Sequence, residues 1–338
     1  MIDMRTALAR VIDGAALRED EMEAVMGQLM SGAATPAQIG GLLVALRMRG
    51  ETVEEITGAA RALRAHATRI QPRAAVVVDT CGTGGDMRGT FNISTAAAFL
   101  AAGAGLTIAK HGNRAASGTV GGADVLEALG VRIDLPPDRV AACIDEVGFG
   151  FLFAPAFHPA TRHAAAPRRE LGVRTIFNLL GPLSNPAGAR HQVMGVYEQK
   201  WTEPLAAVLG RLGSVHALVV CGEDGLDEIS TAAPTQVSEW KDGAVRTYPI
   251  APEDFGLARC RGEDLAGGDR ETSATILRGI LSGATGPRRD VAVLNAAAAL
   301  YVGGQAPSIA AGVRLAEDAI RSGRAVQKLT RLVEFTNR

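Results

Sequence analysis

Two glycine-punctuated segments constrain this chain more than any other feature. They are Asp79-Thr80-Cys81-Gly82-Thr83-Gly84-Gly85-Asp86 and Lys110-His111-Gly112-Asn113-Arg114-Ala115-Ala116-Ser117-Gly118. Each follows a short apolar run that reads as a buried strand (residues 75–78 and 106–109) and leads towards a helical pattern. Glycine lets the backbone take positive φ and lets its N–H groups approach an anion with no Cβ in the way, while the following helix offers free N–H groups and a positive dipole end. Two such loops, with hydroxyls, carboxylates and a lysine between them, predict a polyphosphate held from two sides.

At 338 residues and 47% hydrophobic content the chain has room for one large or two moderate domains with a substantial core. Aromatic residues are only 4% and the formal net charge is -1, which excludes a stacking platform for single-stranded nucleic acid and a broadly basic DNA-binding face. The lysines are Lys110, Lys200, Lys241 and Lys328, and the first sits in the second glycine loop. Cys81, Cys143, Cys221 and Cys260 show no zinc or redox spacing, so reduced thiols in a cytoplasmic protein are expected, with Cys81 a small buried thiol rather than a nucleophile. Residues 1–10 lack a signal peptide's apolar core. The uncharged stretch 89–109 is long enough to raise the question of a membrane span, but Asn92, Ser94, Thr95, Gly103 and Gly105 make it a helix, a turn and a strand.

The first seventy residues read as four amphipathic helices. Two of them start at capping boxes, Thr35-Pro36-Ala37-Gln38 and Thr52-Val53-Glu54-Glu55. They would form a small helical domain over residues 1–70, completed by a returning, hinge-linked segment near 160–186 where prolines and helical residues replace the strand pattern. Residues 71–338 alternate strand, loop and helix, with strands expected at 76–79, 106–109, 131–135, 149–153, 193–197 and 217–221. An α/β fold with a large, mainly parallel sheet and flanking helices follows, its ligands bound beyond the carboxyl ends of the strands. Asp242-Gly243 marks a hairpin within residues 235–247, and three or four helices finish the chain.

The first loop has Met87 where a dinucleotide fingerprint needs its third glycine, lacks the Gly-Lys-Ser/Thr of a P-loop, and lacks the paired acidic residues of the commonest phosphoribosyltransferases. Asn92-Ile93-Ser94-Thr95 suits a helix cap, yet a serine oxygen at such a place also suits magnesium when phosphate oxygens and waters complete its octahedron. In the second loop Lys110 is a point charge, Arg114 a fork for phosphate, and Asn113 carries donors and an acceptor. Like charge on both sides favours a neutral His111 as a hydrogen-bonding wall. Glu223, Asp224, Asp227 and Glu228 follow a buried-strand pattern; locally they could be a solvated turn, or Asp227 and Glu228 could hold a magnesium ion against phosphate. Phe153, Pro155, Phe157 and His158, with Arg168 and Arg174, can wall an aryl ring and clamp a carboxylate, although surface arginines on a helix are the plainer local reading.

With Ala123-Asp124-Val125-Leu126-Glu127-Ala128-Leu129-Gly130, the run from Arg174 through Asn178-Leu179-Leu180-Gly181-Pro182-Leu183-Ser184-Asn185-Pro186, and Gly225-Leu226-Asp227-Glu228, these motifs stand in the order that resembles the anthranilate phosphoribosyltransferase family over nearly the whole chain. The resemblance implies transfer of phosphoribose from 5-phosphoribosyl 1-pyrophosphate (PRPP) to anthranilate, in tryptophan synthesis, by a homodimer joined through its helical part. It implies that Gly82, Gly85, Asp86, Thr90, Asn92, Ile93, Ser94, Thr95, Lys110, His111, Gly112, Asn113, Arg114, Ala115, Ala116, Ser117, Gly118 and Gly122 hold PRPP. Gly82, Asn113, His158 and Arg168 would line the anthranilate path, Arg168 meeting the carboxylate. Ser94, Asp227 and Glu228 match magnesium positions, with two ions, and Lys110 and Asp86 would support the leaving group. After Ser117 the family usually carries serines and a lysine where this chain has Gly118, Thr119, Val120, Gly121 and Gly122, so altered affinity rather than lost activity is expected. A pyrimidine nucleoside phosphorylase, similar in fold, and a non-catalytic nucleic-acid-binding relative are the alternatives.

Overall fold

The computed structural model describes residues 2–115 and 120–338. The chain opens with α1 (Met4–Ile12), α2 (Glu19–Met30), α3 (Pro36–Arg49) and α4 (Val53–Ala65). Both capping boxes form: Thr35 and Gln38 exchange side-chain-to-N–H bonds at 3.0 and 3.3 Å, and Thr52 and Glu55 do so at 3.0 and 3.2 Å. Each box satisfies two N–H groups that a helix start leaves free. The buried Glu55 carboxylate also accepts from Leu17 N–H at 2.9 Å and pairs with Arg49, so one side chain ties three elements of the bundle together.

Strands and helices then alternate: β1 (Val78–Gly82), α5 (Ile93–Gly103), β2 (Ile108–Gly112), α6 (Gly122–Ala128), α7 (Pro137–Val147), β3 (Phe149–Phe153), α8 (Ala154–Phe157), α9 (Arg162–Leu171), α10 (Phe177–Leu180), β4 (His191–Gly195), α11 (Thr202–Arg211) and β5 (His216–Gly222). A hairpin of β6 (Thr235–Lys241) and β7 (Ala244–Ile250) follows, then α12 (Arg270–Leu281), α13 (Pro287–Val302), α14 (Ile309–Arg321) and α15 (Arg324–Thr336). The sheet order is β3-β2-β1-β4-β5-β6-β7, parallel through β5 and antiparallel from β5 to β7. Asp242 and Gly243 both take positive φ (52° and 79°), which matches the turn to the twist of its strands.

Strand order reverses between β1 and β4, which opens a crevice beyond the carboxyl ends of the central strands, where both glycine loops lie. One core is centred on α5, packed against α13, α14 and α15 and buried along nearly its whole length. A second joins α1–α4 to Ala164, Ile176, Phe177, Leu180 and Leu183 of the returning segment. It continues onto α11 and one face of β4 and β5 through Leu205, Leu209, Met194 and Val219.

One expected strand is absent. Residues 131–135 alternate buried and exposed as a strand would, but they pair with no neighbour; Val131, Ile133 and Leu135 are buried, and Arg132 N–H goes to Thr336 Oγ1 of α15 at 3.2 Å. Alternation reports one-sided burial, and here helices supply the covering surface. No helix among the described residues is long and apolar enough to cross a membrane.

Candidate active site

β1 delivers the first glycine loop to the crevice. Gly84 and Gly85 take φ of 66° and 82°, a turn that L side chains rarely adopt, and the turn aims Gly84 N–H at Asp227 Oδ2, 2.8 Å away. A Cβ on Gly82 would stand 2.5 Å from that same oxygen, and one on Gly195 at the end of β4 would run into the Asp227 main chain. The acidic loop after β5 can therefore close onto β1 and β4 only because both strands end in glycine. The far limb of the loop is tied down near Thr90, which bridges Ala266, while Gly267 N–H donates to Gly89 O at 2.9 Å.

Lys110 lies within β2, which runs past its expected end into the start of the second loop. Its ammonium, 3% exposed, donates to Thr80 O and to Ser94 Oγ (3.1 Å), and Ser94 N–H at the start of α5 donates to Glu228 Oε1 at 3.0 Å. Distant segments thus bring Ser94, Lys110, Asp227 and Glu228 together. Burial, with Asp86 and Glu228 beside it, pushes the Asp227 carboxyl well up, and burial likewise raises Glu228 against the pull of Lys110 and the Ser94 N–H. Burial lowers Lys110, opposed by Asp79 and the acidic pair. Asp86 Oδ2 is buried with no hydrogen-bond partner.

Among the described residues no set of three or more His, Cys, Asp or Glu side chains forms a complete metal cage. The donor set nevertheless fits magnesium, which takes hard oxygens, uses few protein carboxylates and shares its remaining positions with phosphate and water. The half-buried Asp227 and Glu228 carboxylates and the orphaned Asp86 oxygen crowd negative charge around this one place.

Beyond Lys110 on the same strand, His111 opens a histidine-lined region. His111 Nδ1 lies 3.1 Å from Gly181 O, which assigns the proton to Nδ1 and leaves Nε2, buried and unpartnered, as an acceptor. Its ring sits 5.1 Å from that of His158, both of whose nitrogens are buried without a hydrogen bond of proper geometry. His111 is neutral as expected, but the principal cause is burial, with His158 and Lys110 adding to it; its pKa falls to about 3, and burial takes His158 to about 4. The ring C–H resonances of both are expected not to titrate between about pH 8 and pH 5 by NMR, and a midpoint near an ordinary histidine value would contradict their placement. Arg168, on the last turn of α9, stacks its guanidinium 4.8 Å over the Phe177 ring and has no carboxylate partner among the described residues. Burial lowers its pKa.

Other expected residues act differently. Arg114 spends its fork on Asp124 (3.0 Å) and Glu127 (2.9 Å to one of the two oxygens it reaches) and lies over Phe153, so it staples the second loop to α6 rather than standing free for phosphate. Ala115 N–H, at 3.3 Å, is also taken by Asp124. Gly112 lets Phe151 approach, since a Cβ there would stand 2.8 Å from the ring. The Ile93 side chain is in the core and can offer only main chain. Asn113 is exposed, its Oδ1 accepting Arg114 N–H at 2.8 Å. Asn92 caps nothing; it reaches Val120 O at 3.3 Å and leaves Oδ1 unpartnered, as Thr95 leaves its buried Oγ1. A Cβ at Gly122 would lie 3.5 Å from that Thr95 oxygen and 3.8 Å from Lys110 Cε, so Gly122 lines the same recess. Ala116, Ser117, Gly118 and Thr119 lie outside the described residues.

Sequence reasoning passed over a brace beneath the site. Buried Asp79 accepts from His111 N–H (3.1 Å) and Asn185 Nδ2 (2.8 Å), and Asn185 also donates to Ala109 O at 2.8 Å, locking β1, β2 and the segment after α10 together. The signal was a carboxylate directly after three valines, a buried charge in need of partners.

Residues 5–67 match the helical bundle domain, and residues 74–326 the a/b domain, of the glycosyl transferase family. An anthranilate phosphoribosyltransferase from Thioalkalivibrio sulfidiphilus is 57% identical over 340 residues, covering 99% of each chain. This chain belongs to the anthranilate phosphoribosyltransferase family. The crystal structure of the family member from Thermus thermophilus superposes with a TM-score of 0.94 at 47% identity, covering 98% of this chain and 99% of that one. The Saccharomyces cerevisiae member in complex with PRPP and Mg gives a TM-score of 0.90 at 28% identity, covering 99% of this chain and 98% of that one. The helical-bundle match spans α1–α4, and the a/b match takes in the whole sheet, so the second core described above is shared between the two matched regions.

Proposed function

We propose that this enzyme joins the amine of anthranilate to C1 of the ribose of PRPP, releasing pyrophosphate and a proton, and so forms N-(5-phosphoribosyl)anthranilate for tryptophan synthesis. The observation that carries the reading is the convergence of a glycine turn, Ser94, Lys110 and the Asp227–Glu228 pair on one side; on the other, His111, next to Lys110 on β2, lies against the neutral His158, and Arg168 on Phe177 has no carboxylate partner among the described residues. The first side is built for a metal-bound diphosphate. The second is built for an aromatic acid.

An aryl amine is neutral and nucleophilic at neutral pH, so displacement at the anomeric carbon depends on positioning and charge neutralisation more than on a strong base. As the C1–O bond to pyrophosphate lengthens, positive charge grows on the sugar and negative charge on the leaving group. N–H groups of residues 82–86 and the Lys110 ammonium meet that negative charge. Ser94, Asp227 and Glu228 would hold magnesium, as two ions, which when bound would supply further neutralisation of the diphosphate. Arg168 clamps the anthranilate carboxylate, with His158 and Asn113 beside the ring, while His111 Nε2 accepts a hydrogen bond from the amine. At a pKa of about 3 it orients rather than deprotonates.

Gly118 and Gly122 leave phosphate oxygens to main-chain N–H groups. The helical part, completed by the returning segment, and the sheet part act as two hinge-linked bodies in a cytoplasmic homodimer; Ile12 and Met48, 66% and 83% exposed on adjacent α1 and α3, support a dimer face there.

The direct test mixes purified protein with magnesium, PRPP and anthranilate, following loss of anthranilate fluorescence and production of pyrophosphate. Phosphate-dependent cleavage of thymidine without pyrophosphate release would replace this reading with a nucleoside phosphorylase. Arg168→Ala is expected to raise the KM for anthranilate by about 10- to 100-fold, the worth of a charged hydrogen bond, and to leave the KM for PRPP nearly unchanged in the same assay.

A further inference from the structure

We propose that Arg174 is a positioning residue for the donor's diphosphate, acting through the Gly84-Gly85 turn from the segment that joins α9 to α10. The inference rests on the donor-binding reading above. Three contacts define it. The Arg174 guanidinium donates to Gly85 O, it lies 4.2 Å over the Tyr197 ring just beyond β4, and the Arg174 main-chain carbonyl accepts from Arg47 Nη1 of α3 at 2.8 Å. The side chain is thus clamped between an aromatic face and a carbonyl, and its backbone is tied to the bundle. Among the described residues it has no carboxylate partner, so a full positive charge stands beside the turn.

The consequence for the turn follows from peptide geometry. In a trans peptide the C=O of one residue and the N–H of the next point in opposite directions. Fixing Gly85 O on Arg174 therefore fixes Asp86 N–H to point away from Arg174, leaving it free as an anion donor. Gly85 itself has φ of 82°, so the turn that offers this carbonyl favours glycine on conformational grounds, and a Cβ there would press on Arg174 Nη2 at 3.0 Å. Arg168 and Arg174 are only six residues apart. One short stretch of chain thus carries two guanidinium groups, the first stacked on Phe177 with no carboxylate partner among the described residues and the second anchored on the turn.

The test compares Arg174→Met and Arg174→Lys with the parent. Hydrogen–deuterium exchange of the unliganded protein is expected to quicken at least tenfold over residues 82–89 in R174M, with the melting temperature little changed. The KM for PRPP should rise at least tenfold while kcat and the KM for anthranilate stay within threefold. R174K, which keeps one donor and the charge, should recover part of both effects. Exchange and PRPP KM within twofold of the parent would overturn the proposal, as would equal losses for both substrates that lysine does not relieve, which mark general loosening of the α9–α10 segment. If the parent turns over no PRPP, the functional reading fails, and the exchange measurement still decides whether Arg174 holds the turn.

Discussion

Replacing Asp227 with Asn and Glu228 with Gln together is expected to lower magnesium-dependent turnover by at least about 10²- to 10³-fold, the loss usual for removing one pre-arranged electrostatic group, without unfolding the protein. Both carboxylates are half-buried, and desolvation already favours their protonated forms. Neutral amides of the same shape relieve that desolvation but withdraw counter-charge from Lys110, for which Asp79 remains, so the variant should melt close to the parent's temperature. Gly84 N–H and Ser94 N–H keep acceptor oxygens on the amides, so the turn and the start of α5 remain braced. Activity and stability should thus separate. Steady-state kinetics across a magnesium titration and a thermal melt check both halves, and turnover that survives with its magnesium dependence intact would remove the acidic pair from the metal role.

Lys110→Met is expected to damage both properties. The ammonium is enclosed by Thr80 O, Ser94 Oγ and the charges of Asp79, Asp227 and Glu228, so its loss leaves buried acceptors and carboxylates uncompensated. Removing one partner from a buried charge cluster costs about 3–5 kcal/mol, reduced here to the extent that Asp227 and Glu228 take up protons. The melting temperature should fall and calorimetric affinity for PRPP with magnesium should drop by at least about tenfold, the equivalent of 1.4 kcal/mol. Arginine should not substitute, because two converging oxygens suit a compact ammonium and not a planar fork. A variant that binds PRPP as tightly as the parent would show that the lysine serves only the fold.

Much of this was legible because it is local. The capping boxes at Thr35 and Thr52, the Asp242-Gly243 turn and the glycines after β1 each depend on a few consecutive residues, and each appears where its chemistry requires. Asp227 and Glu228 were legible as a pair at a strand end, but their closeness to Ser94 and Gly84 depends on sheet order. The alternation in residues 131–135 misled because burial on one side does not require a hydrogen-bonding neighbour. Arg114 misled for a related reason: its partners Asp124 and Glu127 lie on the next helix, and a fork suited to phosphate is equally suited to carboxylates. The Asp79–Asn185 brace and the Arg174–Gly85 contact join residues about a hundred positions apart; the three valines before Asp79 mark a buried charge, but no local pattern names the partner in either contact.

The route of the chain sets a schedule for its assembly. Residues 1–65 emerge from the ribosome first, yet the apolar face of their bundle is covered by Ala164, Ile176, Phe177 and Leu180, and beyond those by α11 and two strands. A nascent chain halted before residue 160 holds four helices with part of their shelter still unmade. The bundle therefore matures late, after the segment carrying Arg168 and Arg174 has been translated, and the reacting halves of the crevice are set in place in the same closing event.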